Sequence, residues 1–81
     1  MIKIMFFAQI RELVGISQLF VENKYTDVES LRRSLINRGS QWAIALDTNT
    51  LLSSVNHTLV PMNYHLTDGD EVAFFPPVTG G

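Results

Sequence analysis

The sequence predicts an α+β fold in which a mixed β-sheet is covered by one main helix. Three features predict it: alternating apolar residues near both ends of the chain, an amphipathic helix between them, and turn sequences that separate the elements. The chain has 81 residues, of which 46% are hydrophobic, and this suits one folded domain. We expect that domain over residues 1–75, followed by an extended tail over residues 76–81.

The first two strands are predicted from period-two alternation. In the opening segment, one face carries Ile2, Ile4 and Phe6, and the other carries Lys3, Met5 and Phe7. Residues 17–22 alternate in the same way, so we expect them to pair with the first strand. Between the two strands, apolar residues at positions 10, 13 and 14 predict a short helical turn that Gly15 can end.

The main helix is predicted to begin at Thr26. The sequence Thr26-Asp27-Val28-Glu29 fits a capping box, in which the threonine hydroxyl accepts a hydrogen bond from the Glu29 amide. Its apolar stripe consists of Val28, Leu31, Leu35 and Ile36. Glu29 and Arg33 can pair on the solvated side, and Gly39 is expected to end the helix as its C′ residue.

The second half of the chain is predicted as short elements joined by turns. Residues 42–46 are compatible with a short helix, and residues 51–55 with a strand. A turn at residues 56–58 leads to Leu59 and Val60, before a proline interrupts. Residues 66–70 form a turn in which Gly69 tolerates positive φ, and a last strand follows over residues 71–75.

The end of the chain is predicted to leave the sheet. Its residues are Pro76, Pro77, Val78, Thr79, Gly80 and Gly81. The two prolines cannot continue a β-ladder, so they favour an extended segment that reaches at most ~20 Å from the body. The terminal glycines lack side chains and can therefore enter a narrow site in another protein.

Two blocks of sequence resemble a known family. Residues 6–15, Phe-Phe-Ala-Gln-Ile-Arg-Glu-Leu-Val-Gly, and residues 66–81, Leu-Thr-Asp-Gly-Asp-Glu-Val-Ala-Phe-Phe-Pro-Pro-Val-Thr-Gly-Gly, are similar to the small subunits of molybdopterin synthase. That resemblance spans essentially the whole chain. It implies a ubiquitin-like β-grasp fold whose first and last strands are parallel neighbours.

The resemblance also implies a function for the tail. In that family an E1-like activating enzyme uses ATP to adenylate the terminal carboxyl, here that of Gly81, which becomes a thiocarboxylate. The tail, with Gly80 giving access, then enters the large subunit and donates sulfur to a pterin precursor, cyclic pyranopterin monophosphate. The chain would bind no cofactor itself and would be the non-catalytic subunit of a heterotetramer.

Exposed apolar side chains suggest how a partner is held. Phe7, Phe20 and Phe75 are expected on the sheet face opposite the helix, where they either pack under loops or form a partner-binding patch. Their nearness to the tail favours a patch for Phe7 and Phe75, because interface cores are enriched in aromatic residues. Leu59 is a further candidate. The residues predicted to contact partners are Phe7, Leu59, Phe75, Pro76, Pro77, Val78 and Thr79.

Other classes of function are disfavoured by composition. The chain has no cysteine, so disulfides and thiolate metal sites are excluded, and His57 and His65 have no metal-ligand spacing. A formal charge of -2 and the lack of a long apolar run argue against nucleic acid or a membrane as partner. No signal peptide is recognisable, so we expect a cytoplasmic protein.

Three alternatives remain at this point. A sulfur carrier of the thiamine pathway shares the fold and the Gly-Gly end, but is not expected to carry Phe-Phe-Pro-Pro-Val-Thr. A ubiquitin-like modifier would use the same activation to form isopeptide bonds with lysines. A passive interaction domain is compatible with the fold alone, because a fold does not determine a function.

Overall fold

The computed structural model describes residues 1–77, which form one mixed sheet of five strands packed against helices. The elements in chain order are β1 (Ile2–Phe6), α1 (Ala8–Val14), β2 (Gln18–Val21), α2 (Val28–Ile36), α3 (Ser40–Leu46), β3 (Leu52–Val55), β4 (Thr58–Val60) and β5 (Glu71–Phe75). The strand order is β2-β1-β5-β3-β4. This architecture confirms the predicted α+β class, with α1 and α3 as shorter helices beside α2.

The first and last strands lie together at the centre of the sheet. They run parallel, with Ile4 opposite Val72 and Phe6 opposite Phe74, as a β-grasp requires. All other strand pairs are antiparallel. The end of β5, where the tail begins, therefore lies beside the end of β1.

The core lies between the helices and one face of the sheet, here called the inner face. Its largest fully buried side chains are Phe6, Phe74, Ile2, Ile4, Leu31, Leu35, Leu46, Val28 and Val72. Three of these belong to the predicted stripe of α2, whose fourth member, Ile36, is half-buried against the core. Trp42 of α3 packs edge-on against Phe6 with ring centroids 5.4 Å apart, which ties α3 to the sheet.

The cap of α2 differs from the prediction by one residue. Asp27, not Thr26, is the N-cap: its Oδ1 accepts from the Ser30 amide at 2.8 Å, and the Ser30 hydroxyl accepts from the Asp27 amide at 3.2 Å. The Thr26 carbonyl accepts from Leu66, which holds this segment against the β4–β5 connection. The Glu29 carboxylate is bound by arginines of the next turn and does not reach back to the cap.

The end of α2 also differs from the prediction. The helix ends at Ile36 with Asn37 as its C-cap, and the Arg38 amide donates to the Leu35 carbonyl. Because that tight turn needs no left-handed residue, Gly39 is not a C′ glycine. It is the N-cap of α3, with an extended backbone that any residue can adopt.

The other predicted turns are confirmed by their backbone angles. Gly15 ends α1 with φ 83°, and Gly69 has φ 91° in the turn before β5. Asn56 and His57 have φ 52° and 70°, so they form a two-residue turn joining β3 and β4. Within residues 1–77, no helix has the length and apolar character needed to cross a bilayer.

Candidate functional site

The root of the tail is the starting point of the candidate site. β5 ends at Phe75, after which Pro76 is half-buried and Pro77 is exposed. Phe74 faces the core, and Pro76 follows it by two residues and lies on the same inner side. The predicted roles of Val78, Thr79, Gly80 and Gly81 fall outside the described residues.

Phe7 and Phe75 lie side by side at this root. Phe6 and Phe74 are partners in the parallel ladder, and Phe7 continues the extended path of β1 with φ -126° and ψ 157°. The next residue on each strand is therefore a phenylalanine at the same end of the sheet. Phe7 is 42% exposed and Phe75 is half-buried. The structure thus brings together the two aromatic residues proposed from sequence as partner contacts.

These two residues belong to the outer face, the sheet face turned away from the helices. The strand registers place the following residues on it: Gln18, Phe20, Lys3, Met5, Glu71, Ala73, Phe75, Leu52, Ser54 and Leu59. Leu59 on β4 is 63% exposed, and Phe20 on β2 is 53% exposed. The predicted placement of Phe7, Phe20 and Phe75 on the face opposite the core is confirmed. Leu59 lies on the same face, on the edge strand opposite to that of Phe20.

Leu52 is an apolar residue of the outer face that the sequence did not single out. It is the register partner of Phe75 and is half-buried. Its position could have been found from the alternation within β3. Ser53 and Val55 are buried, so Leu52, which alternates with them, faces outward. We call Phe7, Phe75, Leu52 and Leu59 the apolar patch.

The other end of the outer face is charged. Glu71, the first residue of β5, lies 3.6 Å from the Lys3 ammonium and 3.1 Å from Nε2 of His57. The Glu71 amide donates to the Asn56 side chain, which in turn donates to Asp70 at 3.0 Å. Along β5 the surface therefore changes from charged at Glu71 to apolar at Phe75, where the tail begins.

A cleft of about 230 Å³ lies on the other side of the tail root. Its wall includes Ile10 and Leu13 of α1, Ile44 of α3, and both Pro76 and Pro77. We call it the α1–α3 cleft. The sequence alone does not indicate this cleft, because the two helices meet only in the folded chain.

Two carboxyl groups have a perturbed pKa, and both lie at the start of α2. The Ser30 amide lowers the pKa of Asp27, and hydrogen bonds from Arg32 lower the pKa of Glu29. Neither residue lines the α1–α3 cleft or lies on the outer face. These two shifts therefore concern the stability of the fold rather than chemistry at the tail. Among residues 1–77, no three His, Asp or Glu side chains gather as a metal site would require.

Known proteins with similar sequences identify the family of this chain. The ThiS family matches residues 4–81. A molybdopterin synthase sulfur carrier subunit from Escherichia coli is 54% identical over 81 residues, which is the full length of both chains. The corresponding subunit from Haemophilus influenzae is 44% identical over the full length of both.

A solved structure shows the same fold in an assembly. It is a protein–protein complex of subunits 1 and 2 of molybdopterin-converting factor from Helicobacter pylori. The matching chain has a TM-score of 0.70 and 27% identity, and the match covers 99% of this chain and 97% of that one. The fold, the full-length identity and the family match agree: the chain belongs to the ThiS family of β-grasp proteins and, within it, to the molybdopterin synthase sulfur carrier subunits.

Proposed function

We propose that the carboxyl group of Gly81 is the sulfur-carrying group and that the folded body presents it to two enzymes in turn. The observation that carries this proposal is the full-length identity of 54% to a sulfur carrier subunit, which includes the tail. The geometry of the tail root supports it. The tail begins at the central strand, beside the exposed Phe7 and the half-buried Phe75, which a partner can bind.

The proposed chemistry begins with activation. A carboxylate is a poor electrophile because its charge is delocalised, so an E1-like enzyme first joins the Gly81 carboxylate to the AMP portion of ATP and releases pyrophosphate. A sulfide or persulfide sulfur then attacks the carbonyl carbon, and AMP leaves with its electron pair. With a persulfide donor, two electrons from a thiol must also cleave the S–S bond. The product is a thiocarboxylate in which sulfur replaces one oxygen. Because the activation step consumes ATP, we place the protein in the cytoplasm.

The second enzyme is proposed to be the large subunit of molybdopterin synthase. Gly80 and Gly81 have no side chains, so the tail can approach a bound pterin closely. The large subunit supplies binding and charge stabilisation, while this chain supplies the sulfur and binds no cofactor. Two such transfers give the dithiolene, and two small with two large subunits form the assembly.

The apolar patch is proposed to bind the large subunit, and Pro76, Pro77, Val78 and Thr79 are proposed to contact it along the tail. Phe7, Leu59 and Phe75 are accessible on one face, and interface cores favour aromatic residues over charged ones. The complex of subunits 1 and 2 from Helicobacter pylori supports a partner of this kind. The charged end of the outer face lies beyond this contact, at the far end of β5.

Mass spectrometry of the intact chain tests the proposal. After incubation with the adenylating enzyme, ATP and a sulfur donor, we expect a mass increase equal to one exchange of oxygen for sulfur at Gly81. The chain without Gly81 is the matched control: it should fold normally and gain no sulfur. Sulfur transfer by the truncated chain would refute the site.

Further assays with the activated chain separate the alternatives. Conjugates with lysine side chains of other proteins would indicate a ubiquitin-like modifier. A thiocarboxylate that supports thiazole formation, but not conversion of the pterin precursor by the large subunit, would indicate the thiamine pathway. Dithiolene formation from the pterin precursor supports the function proposed above.

A further inference from the structure

The α1–α3 cleft is the strongest feature that the proposed function does not use. Its floor is buried and apolar, with Ile10 and Leu51 only 4% and 6% exposed. Pro76 and Pro77 form part of its wall, so the cleft is continuous with the root of the tail. A ligand in this cleft would therefore contact the tail at the point where it leaves the body.

Ile44 gives the cleft an exposed apolar rim. It is 65% exposed, although the neighbouring Ala45 and Leu46 are buried. Within α3 the core-facing residues are Trp42, Ala45 and Leu46, at i, i+3 and i+4, and Ile44 falls outside that stripe. Packing within the described fold thus does not account for an isoleucine at this position.

Within residues 1–77, the cleft has three polar residues, of which Gln9 is exposed to solvent and the two threonines bind each other. The hydroxyl groups of Thr48 and Thr50 hydrogen-bond to each other at 3.0 Å, and the Thr50 amide donates to Thr48. An apolar side chain entering beside them therefore leaves these hydroxyls with a partner. With a volume of about 230 Å³, the cleft suits a side chain rather than a cofactor.

The tail root lies between two apolar surfaces. Phe75 faces the outer side, where the apolar patch lies, and Pro76 faces the inner side, where it lines the cleft. A partner that encloses the tail in a channel must surround it, so the rim of that channel meets the body on both sides. A partner that docks on the apolar patch alone would cover only the outer side of the tail root.

We propose that the α1–α3 cleft binds an apolar side chain from the large subunit, at the rim of the channel that receives the tail. This inference rests on the proposed function. It makes Ile44 a contact residue of the large subunit, on the opposite side of the tail from Phe7 and Phe75. The cleft and the apolar patch together hold the tail root in one direction.

The test compares two variants that add the same charge to the same helix. Ile44→Glu places a carboxylate at the rim of the cleft, and Gln41→Glu places one on α3 outside the cleft. We expect Ile44→Glu to raise the Kd for the large subunit about tenfold, as loss of a buried interface contact does. Gln41→Glu should change it less than about twofold. Thermal unfolding should show both variants folded like the wild type.

Two results would overturn the inference. The first is an unchanged Kd of Ile44→Glu for the large subunit, with sulfur transfer by the wild type intact. The second is that Ile44→Glu weakens only adenylation by the activating enzyme, which would assign the cleft to that enzyme. Failure of the wild type itself to donate sulfur would instead refute the proposed function, so the two failures are distinguishable.

Discussion

The two faces of the sheet are made from the same strands, yet they differ sharply in burial. On the inner face Ile2, Ile4 and Phe74 are fully buried, whereas on the outer face Phe20 and Leu59 are more than half exposed. Alternate residues of one strand therefore contribute to the core and to an accessible surface, and we propose that the accessible surface serves recognition. A substitution at one position should affect folding, and a substitution at the next should affect binding.

Phe74 and Phe75 give the sharpest test of that difference, because they are adjacent in β5. Phe74→Ala removes a fully buried ring and should lower the free energy of unfolding by about 3–5 kcal/mol. Phe75→Ala removes a half-buried ring from the outer face and should cost about 1 kcal/mol. Urea denaturation measures both; equal losses would show that the two faces do not divide the roles.

The second prediction concerns binding. Phe7→Ala combined with Phe75→Ala should weaken binding to the large subunit about 30-fold, a total loss of about 2 kcal/mol, because aromatic contacts at the centre of an interface are removed. Tyr64→Ala is the control, because Tyr64 has the same 42% exposure as Phe7 but lies in the β4–β5 connection. Unchanged affinity of the double variant by calorimetry would defeat the assignment of the patch.

The smallest predicted effect concerns pH and the cap of α2, away from the outer face. The Ser30 amide lowers the pKa of Asp27 in the folded state. The contribution of the Asp27 carboxylate to stability is therefore complete above its unfolded pKa of about 4. It is lost as the pH falls through the lower pKa of the folded state. Asp27→Asn keeps an acceptor for the cap but does not titrate.

We expect the melting temperature of Asp27→Asn to fall less than that of the wild type between about pH 5 and pH 2. Binding to the large subunit at neutral pH should be unchanged, because Asp27 is not on the outer face. Parallel pH profiles of the two proteins would contradict the role of this carboxylate.

Much of the fold could be predicted because local patterns and tertiary contacts agree. The alternation in β1 and β5 gave the correct faces, and Gly15 and Gly69 marked the turns that need positive φ. Thr26 failed as a cap because Asp27 beside it is at least as favourable an N-cap residue. A long-range hydrogen bond to Leu66 decides between them, and no local pattern contains it.

The candidate site was predictable in part for the same reason. Phe7 and Phe75 could be paired from sequence because their strands alternate regularly. Ile44 could have been noticed as an apolar residue outside the stripe of its helix, but the cleft beside it depends on how α1 packs on α3. Contacts between elements distant in sequence are what a single sequence leaves open.

The parallel pairing of β1 with β5 has a consequence for the order of events in synthesis. The central strand of the sheet comes from the end of the chain, so a growing polypeptide cannot complete its core until residues 71–75 have left the ribosome. Pairing between such distant segments also slows folding relative to local contacts. A partner that binds the assembled sheet therefore recognises only chains in which residues 71–75 have already paired with β1.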